Sequence, residues 1–274
     1  MFLLFFWITG SVVFYGSFIE PRNFVVSQTK ISLHKTAQVE NLKIAFISDF
    51  HIGPFKREKF LEKIIKKVAE QKPDMILLGG DFIHQKENEA KYFTPIKKMT
   101  DIAPVFAVWG NHEYNVDYND KSKFRDMTAG LKKIFFETGV QVLNNEARLL
   151  TIRGSKFYLV GLDSTDAGKD NYPKATYNLD NSIPQILLAH SPDVVLLKPA
   201  TADLILSGHT HAGQIRLPLI GSLAVIPTFI GRYFDQGLFS FPNFQLFITR
   251  GVGESGSRAR LFCSPEISIL NIDL

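Results

Sequence analysis

The chain has 274 residues, 45% of them apolar and 21% charged, which is ordinary globular composition and excludes a disordered segment, a collagen-like fibre and a disulfide scaffold. Lys and Arg outnumber Asp and Glu by 31 to 27, and a net charge of +4 is too mild to announce a nucleic-acid binder. The single cysteine, Cys263, cannot pair within the chain and rules out thiolate metal sites.

Met1–Ile19, MFLLFFWITGSVVFYGSFI, carries no charged side chain; the first is Glu20. A membrane-spanning helix needs about 20 apolar residues, so residues 1–19 are expected to form a transmembrane anchor. A cleaved signal peptide and a buried core helix are the alternatives. No Lys or Arg precedes the run and no A-x-A-like site follows it, which disfavours the signal peptide. Arg22, Lys30 and Lys35 all follow the span, so the positive-inside tendency leans the main domain toward the cytoplasm. Residues 20–41 turn polar and read as a tether leading into an edge strand, and residues 42–274 read as the main domain.

LKIAFIS (Leu42–Ser48) is a short β-rich run. KREKFLEKIIKKVAEQK follows, with Phe60, Leu61, Ile64, Ile65 and Val68 forming one stripe of a helix and lysines mostly on the other side. Pro73 stops that helix. MILLG and VFAVW are the next buried strands, and Lys121–Thr138 is expected to be a second helix. From Arg148 onward strands predominate. Helix–strand alternation early and strands late predict an α/β fold built on two sheets.

Five apolar runs end in polar, metal-capable residues. KIAFIS ends at Asp49 with His51 two residues on, and MILLGG ends at Asp81. VFAVWG ends at Asn111, followed by His112 and Glu113. QILLA ends at His190, and LILSG at His209 with His211 beyond. Ligands of α/β sheets gather outside the carboxyl ends of strands, so these residues can converge. Five of the seven histidines in the chain occupy such positions; His34 and His84 do not. Two Asp, one Asn and four His without thiolate suit borderline divalent ions such as Mn²⁺, Fe²⁺, Zn²⁺ or Co²⁺. Seven ligands are too many for one catalytic zinc and suit two ions that share a carboxylate, an arrangement that makes hydroxide near neutral pH and neutralises phosphoryl oxygens. His112 is then left to protonate a leaving oxygen.

The series Asp49-Phe50-His51, Gly80-Asp81, Gly110-Asn111-His112-Glu113, His190 and Gly208-His209-Thr210-His211 resembles the calcineurin-like metallophosphoesterase superfamily. The resemblance implies a four-layer α/β/β/α sandwich of two mixed sheets. It also implies that Asp49, His51 and His211 hold one metal, that Asn111, His190 and His209 hold the other, that Asp81 bridges them and that His112 is catalytic. The apolar start and the tail TRGVGESGSRARLFCSPEISIL are similar to a membrane-associated bacterial branch that contains manganese-dependent phosphodiesterases and UDP-2,3-diacylglucosamine hydrolases. The expected cofactors are therefore two divalent ions, manganese first. The expected substrate is a phosphodiester or pyrophosphate, and the apolar segment Leu217–Phe241 favours a lipid-linked one. A phosphomonoesterase or nuclease with the same site, or a non-catalytic protein of this fold, are the alternatives. Ser/Thr phosphatase relatives place an Asp three residues after the bridging Asp to orient the catalytic histidine, where this chain has His84.

Overall fold

A computed structural model describes residues 2–33, 41–116 and 124–274, with side chains from residue 7 onward in that range. In chain order the strands of the first half are β1 (Val25–Ser32), β2 (Asn41–Ile47), β3 (Met75–Leu78), β4 (Val105–Ala107), β5 (Gln141–Val142), β6 (Glu146–Ile152) and β7 (Ser155–Gly161). Those of the second half are β8 (Gln185–Leu188), β9 (Leu204–Ser207), β10 (Arg216–Leu217), β11 (Gly221–Ser222), β12 (Gly237–Ser240), β13 (Gln245–Ile248) and β14 (Glu266–Asp273). They form two six-stranded sheets, ordered β1-β14-β2-β3-β4-β5 and β12-β13-β9-β8-β7-β6, and a small β10–β11 hairpin. Both large sheets are mixed. β2 to β5 run parallel with β14 antiparallel to β2, while β7, β8, β9 and β13 run parallel with antiparallel β6 and β12 at the edges.

Alternation along each strand sends side chains to two faces. Leu42, Ile44 and Phe46 of β2 join Ile186, Leu188, Leu204 and Leu206 of the other sheet in a core between the sheets, where Phe46 meets Phe247 edge-on at 6.4 Å. Ala45 and Ile47 point the opposite way, into a core covered by α2 (Glu58–Gln71), the short α3 (Lys97–Thr100) and α4 (Ala129–Thr138). Leu61, Ile64, Ile65 and Val68 of α2 are the buried stripe read from the sequence. The outer face of the second sheet has a thinner cover, since α5 (Tyr172–Ala175) and a 3₁₀ turn at Pro192–Leu197 are short, and Phe234, Phe239, Phe241 and Phe244 complete it. The expected α/β fold of two mixed sheets is what the chain adopts.

Three boundaries differ from the sequence reading. Helix α4 begins at Ala129 rather than Lys121; Asp126 Oδ1 accepts the Thr128 N–H at 2.9 Å in a local turn, and residues 117–123 lie outside the described residues. The polar stretch after Glu20 contains β1, which pairs along its whole length with the C-terminal β14, while His34 and the rest of residues 34–40 lie outside the described residues. The expectation of a transmembrane anchor over Met1–Ile19 is not met: no helix among the described residues is long and apolar enough to cross a membrane. Helix α1 (Phe2–Phe14) has 13 residues, about 20 Å at 1.5 Å per residue, against a hydrocarbon core of about 30 Å. It runs into a π-turn at Tyr15–Ile19 in which Gly16 is buried, and the next residue, Glu20, is also buried. The Glu20 carboxylate accepts the Phe262 and Cys263 N–H groups at 2.9 and 2.6 Å, so the chain below α1 belongs to the domain.

Phe46→Ala should open a cavity between the sheets and lower stability by about 3–5 kcal/mol, read as a shift of the urea midpoint without change of slope. An unchanged midpoint would mean that the two sheets do not rely on this layer.

Candidate metal centre

β2, β3, β4, β8 and β9 all end toward one edge of the sandwich, and the loops that follow carry Asp49, Asp81, Asn111, His190 and His209. The ladders continue into these loops: Asp49 N–H donates to the Gly80 carbonyl, His51 N–H to Asp81, and Gly208 N–H to His190, at 2.9–3.0 Å. Cross-links then tie one sheet's loops to the other's. His209 N–H donates to both Asp49 carboxylate oxygens at 3.0 and 3.2 Å, and His190 Nδ1 lies 2.7 Å from the Gly79 carbonyl, to which it donates. Gly110 and Gly208 permit this closeness. A Cβ on Gly110 would overlap the Asp81 carboxylate, and one on Gly208 would overlap Ser48 Oγ and Asp49 Oδ2.

Asp49, His51, Asp81, His209 and His211 all have positive φ, between 44° and 70°. Left-handed backbone at non-glycine residues is uncommon and costs about 1–3 kcal/mol per residue at strained sites. Five of the seven expected ligands adopt it, so packing and hydrogen bonds hold this edge in a shape the chain would not choose locally.

The donor atoms converge in two groups. His51 Nε2 lies 3.0 Å from His211 Nε2 and 3.6 Å from Asp81 Oδ2, and His211 Nε2 lies 3.5 Å from Asp49 Oδ1. His190 Nε2 lies 3.0 Å from Asn111 Oδ1, 3.1 Å from His209 Nδ1 and 3.2 Å from Asp81 Oδ2. The Asp49–His51–His211 and Asp81–His190–His209 triplets are each compact enough to hold an ion, and Asp81 also forms a triplet with His51 and His112. Ligands about 2.1 Å from a common ion stand roughly 3.0–3.4 Å apart; the group around His190 spans 3.0–3.2 Å and the group around His51 and His211 a slightly wider 3.0–3.6 Å. One proton cannot satisfy His190 Nε2 against three facing acceptors, whereas a cation can.

The charges agree. Burial alone would raise Asp81, but His190, His112 and His51 outweigh it and hold its carboxyl well below the usual range. Burial raises Asp49. Burial lowers His51 and His211 well below an ordinary histidine, so both are neutral with a lone pair to give. Burial also works against protonation of His190, yet Asp81 and Asp49 push it up to about 10. Two buried carboxylates thus draw in positive charge, a demand that divalent ions meet more fully than one imidazolium.

His112 stands apart, one-fifth exposed at the side chain, with Nε2 4.0 Å from Asp81 Oδ2. Its Nδ1 donates to the His84 main-chain carbonyl and its own N–H donates to Asp81 Oδ1 at 2.9 Å. The His84 ring is 6.1 Å from that of His112. At this position the backbone, not the side chain, orients the catalytic candidate. Arg260 is not free for phosphate at this site. Arg260 is fully buried and spends its guanidinium on the carbonyls of Arg250, Gly251, Gly253 and Cys263, while Arg258 covers the Phe55 ring.

The sequence reading named Glu113 without a role and passed over Asp166. Glu113 is fully buried, and its carboxylate accepts the N–H groups of Asp81, Phe82, Ile83 and Gly110 at 2.8–3.2 Å. Burial, then the Asp81 charge, pushes it up to about 7 against the pull of those donors. Asp166 is buried with Oδ2 3.9 Å from His209 Nε2, the nitrogen turned away from the cluster. It lies beyond the carboxyl end of β7, where the strand-end rule that found the others also applies.

Residues 42–213 match the calcineurin-like phosphoesterase family. The chain belongs to that family. It is a metallophosphoesterase, and such enzymes use a dinuclear divalent metal site. It is 33% identical to phosphodiesterase YaeI of Escherichia coli K12, over 96% of this chain and 94% of that one. It is 28% identical to UDP-2,3-diacylglucosamine pyrophosphatase LpxG of Chlamydia muridarum, covering 86% and 85%. The metallophosphoesterase YkuE of Bacillus subtilis is 26% identical over 94% of this chain and 88% of its own.

Glu113→Gln turns an amide N–H₂ toward backbone donors and should cost roughly 2–5 kcal/mol while loosening both turns that carry Asp81 and Asn111. Calorimetry and metal content should fall together; a variant with wild-type values for both would remove Glu113 from this role.

Proposed function

We propose that the protein is a two-metal hydrolase of a phosphodiester or pyrophosphate bond in an amphiphilic substrate, of which UDP-2,3-diacylglucosamine is an example. The carrying observation is that Asp81 belongs to one donor triplet with His190 and His209 and to another with His51 and His112, while His51 also belongs to the triplet with Asp49 and His211, so Asp81 stands between the two groups. Asp49, His51 and His211 would hold one ion, Asn111, His190 and His209 the other, with Asp81 between them. Divalent ions supply Lewis acidity there, lowering the pKa of water and neutralising charge on phosphoryl oxygens. The nitrogen and oxygen donor set suits manganese, iron, zinc or cobalt, and the resemblance to a manganese-dependent branch puts manganese first.

The chain's own groups do the rest. With Nδ1–H committed to the His84 carbonyl, His112 presents Nε2 at the mouth of the cluster, placed to hold a proton toward the departing oxygen. The Gly110 and Gly208 approaches keep the donors close, and the burial of the donor side chains limits water.

The amphiphilic part rests on the segment after His211. Thr210 Oγ1 donates to the Asp235 carbonyl at 2.7 Å and Leu223 N–H to Ile215 at 2.9 Å, so residues 215–235 are held beside the second metal motif. Within Leu217–Phe241 the side chains divide. Phe234, Phe239 and Phe241 pack on the second sheet, whereas Leu219, Val225 and Phe229 are at least three-quarters exposed. An acyl chain would be received by the exposed set. The exposed apolar α1 supports work at a membrane as well.

Full-length protein should hydrolyse bis-p-nitrophenyl phosphate with manganese. Asp81→Ala should abolish this together with metal binding, and His112→Ala should slow it about 10²–10⁴-fold with metal content unchanged. Activity that survives complete chelation, or that is confined to monoesters, would overturn the reading. Replacing Leu219, Val225 and Phe229 by Gln should lower turnover of an acylated substrate relative to the soluble diester by about tenfold or more; an unaltered ratio would remove the amphiphilic part alone.

A further inference from the structure

Away from the metal cluster, a second concavity of about 180 Å³ lies between the foot of α1, the start of α2 and the loop at residues 254–258. That volume equals roughly six waters, room enough for a phosphate group. Its walls carry Arg22, Lys56, Lys59, Lys63 and Arg258, and Glu254 is the one carboxylate among them. Glu254 is already engaged, 2.7 Å from Lys56 Nζ and 3.6 Å from Arg260 Nε. Lys56 also donates to the Val252 carbonyl at 3.1 Å. No carboxylate among the described residues lies within ion-pair distance of Arg22, Lys59, Lys63 or Arg258, so four cations surround the opening without a counter-charge from those residues. Burial, with Arg260 and Arg22 adding to it, pushes the Lys56 ammonium down to about 8 despite Glu254, in keeping with an excess of positive charge.

The surface adjoining this pocket is apolar. Ser17 and Pro21, just past α1, form part of its wall. Every described side chain of α1 is exposed; Trp7, Ile8, Val13 and Phe14 each show more than half their surface. The helix has no polar face, so in water it would leave an apolar rod uncovered. Phe55, on the pocket wall, is 62% exposed under the Arg258 guanidinium. Apolar surface beside unpaired cations is the pattern that matches the boundary of an anionic bilayer, where acyl chains lie under phosphates. A soluble anionic protein would match the cations but not α1.

We propose that this pocket binds the phosphate headgroup of an anionic phospholipid while α1 lies in the adjoining acyl layer, docking the chain on a lipid surface. The inference deepens the amphiphilic reading but does not need the catalytic one, since soluble-diester hydrolysis reports on the metal site alone.

The test uses the full chain with vesicles of phosphatidylcholine, with and without phosphatidylglycerol, followed by sedimentation and by the emission of Trp7. Trp109 is fully buried, so a change on binding reports on α1. Binding should strengthen about tenfold or more with phosphatidylglycerol and weaken with salt. Lys59→Glu with Lys63→Glu should lose that gain, while Lys132→Glu with Lys133→Glu, an equal charge change on exposed α4, should keep it. Equal binding to both vesicles would overturn the proposal, as would an equal loss in the α4 variant, which would make the attraction a matter of net charge. Inorganic phosphate is the remaining arm. A rise in Tm with phosphate that the Lys59/Lys63 variant lacks, without vesicle binding by the wild type, would assign the pocket to free phosphate and also overturn it.

Discussion

Two carboxylates, Asp49 and Asp81, are buried within one cluster of imidazoles, and the electrostatic demand they create governs the rest of this edge. Buried charge is tolerable only when paired and hydrogen-bonded. Here the partners are His190, the backbone N–H groups of His112 and His209, and the cations the donor spacing would accommodate. Each of those partners must be held in place, which is why the loops adopt left-handed backbone and why Glu113 gathers four N–H groups beneath the turns. A third carboxylate this deep would ordinarily worsen the repulsion. Its four donors make it instead a clamp that sets where Asp81 points.

Topology makes the convergence possible. Parallel strands in both sheets place their carboxyl ends on the same side, so loops from β2, β3 and β4 face loops from β8 and β9 across the top of the sandwich. The inter-sheet layer of Phe46, Leu77, Leu188 and Leu206 sets the distance between those loops. The pairing of His209 N–H with Asp49, and of His190 Nδ1–H with the Gly79 carbonyl, then crosses from one sheet to the other. Stability of the core and geometry of the cluster are therefore one problem, since a shift of one sheet against the other would pull the two triplets apart.

Much of this is legible in the residues because buried parallel strands read as short apolar runs and a polar residue at their end has few structural uses. Asp49, Asp81, Asn111, His190 and His209 all stand out in that way, and they are the residues the fold brings together. Glu113 does not stand out as a clamp, because its part depends on backbone groups that sequence does not display. His84 misleads for a related reason: its carbonyl holds His112, and any residue would supply that carbonyl. At the apolar start, length alone argues for a span. Sequence counts apolar residues but does not show that Gly16 and Glu20 are built into the domain, which shortens the free helix to α1.

That same tie links the two ends of the molecule. Glu20 caps the N–H groups of Phe262 and Cys263, and the Arg260 N–H donates to the Gly16 carbonyl at 2.9 Å, so the foot of α1 rests on the loop at residues 250–263. The other side of that loop backs the metal cluster. Val252 and Gly253 N–H groups donate to the carbonyls of Ser48 and Asp49, and Cys263 Sγ reaches the His211 carbonyl at 3.5 Å. Arg260 holds the loop shut from within by bonding four of its carbonyls, a use of a buried guanidinium that leaves it nothing for substrate. An apolar helix fixed to such a closed loop keeps a set distance from the donors instead of trailing on a free tether. A surface that received α1 would therefore hold the mouth of the cluster at a defined height above it.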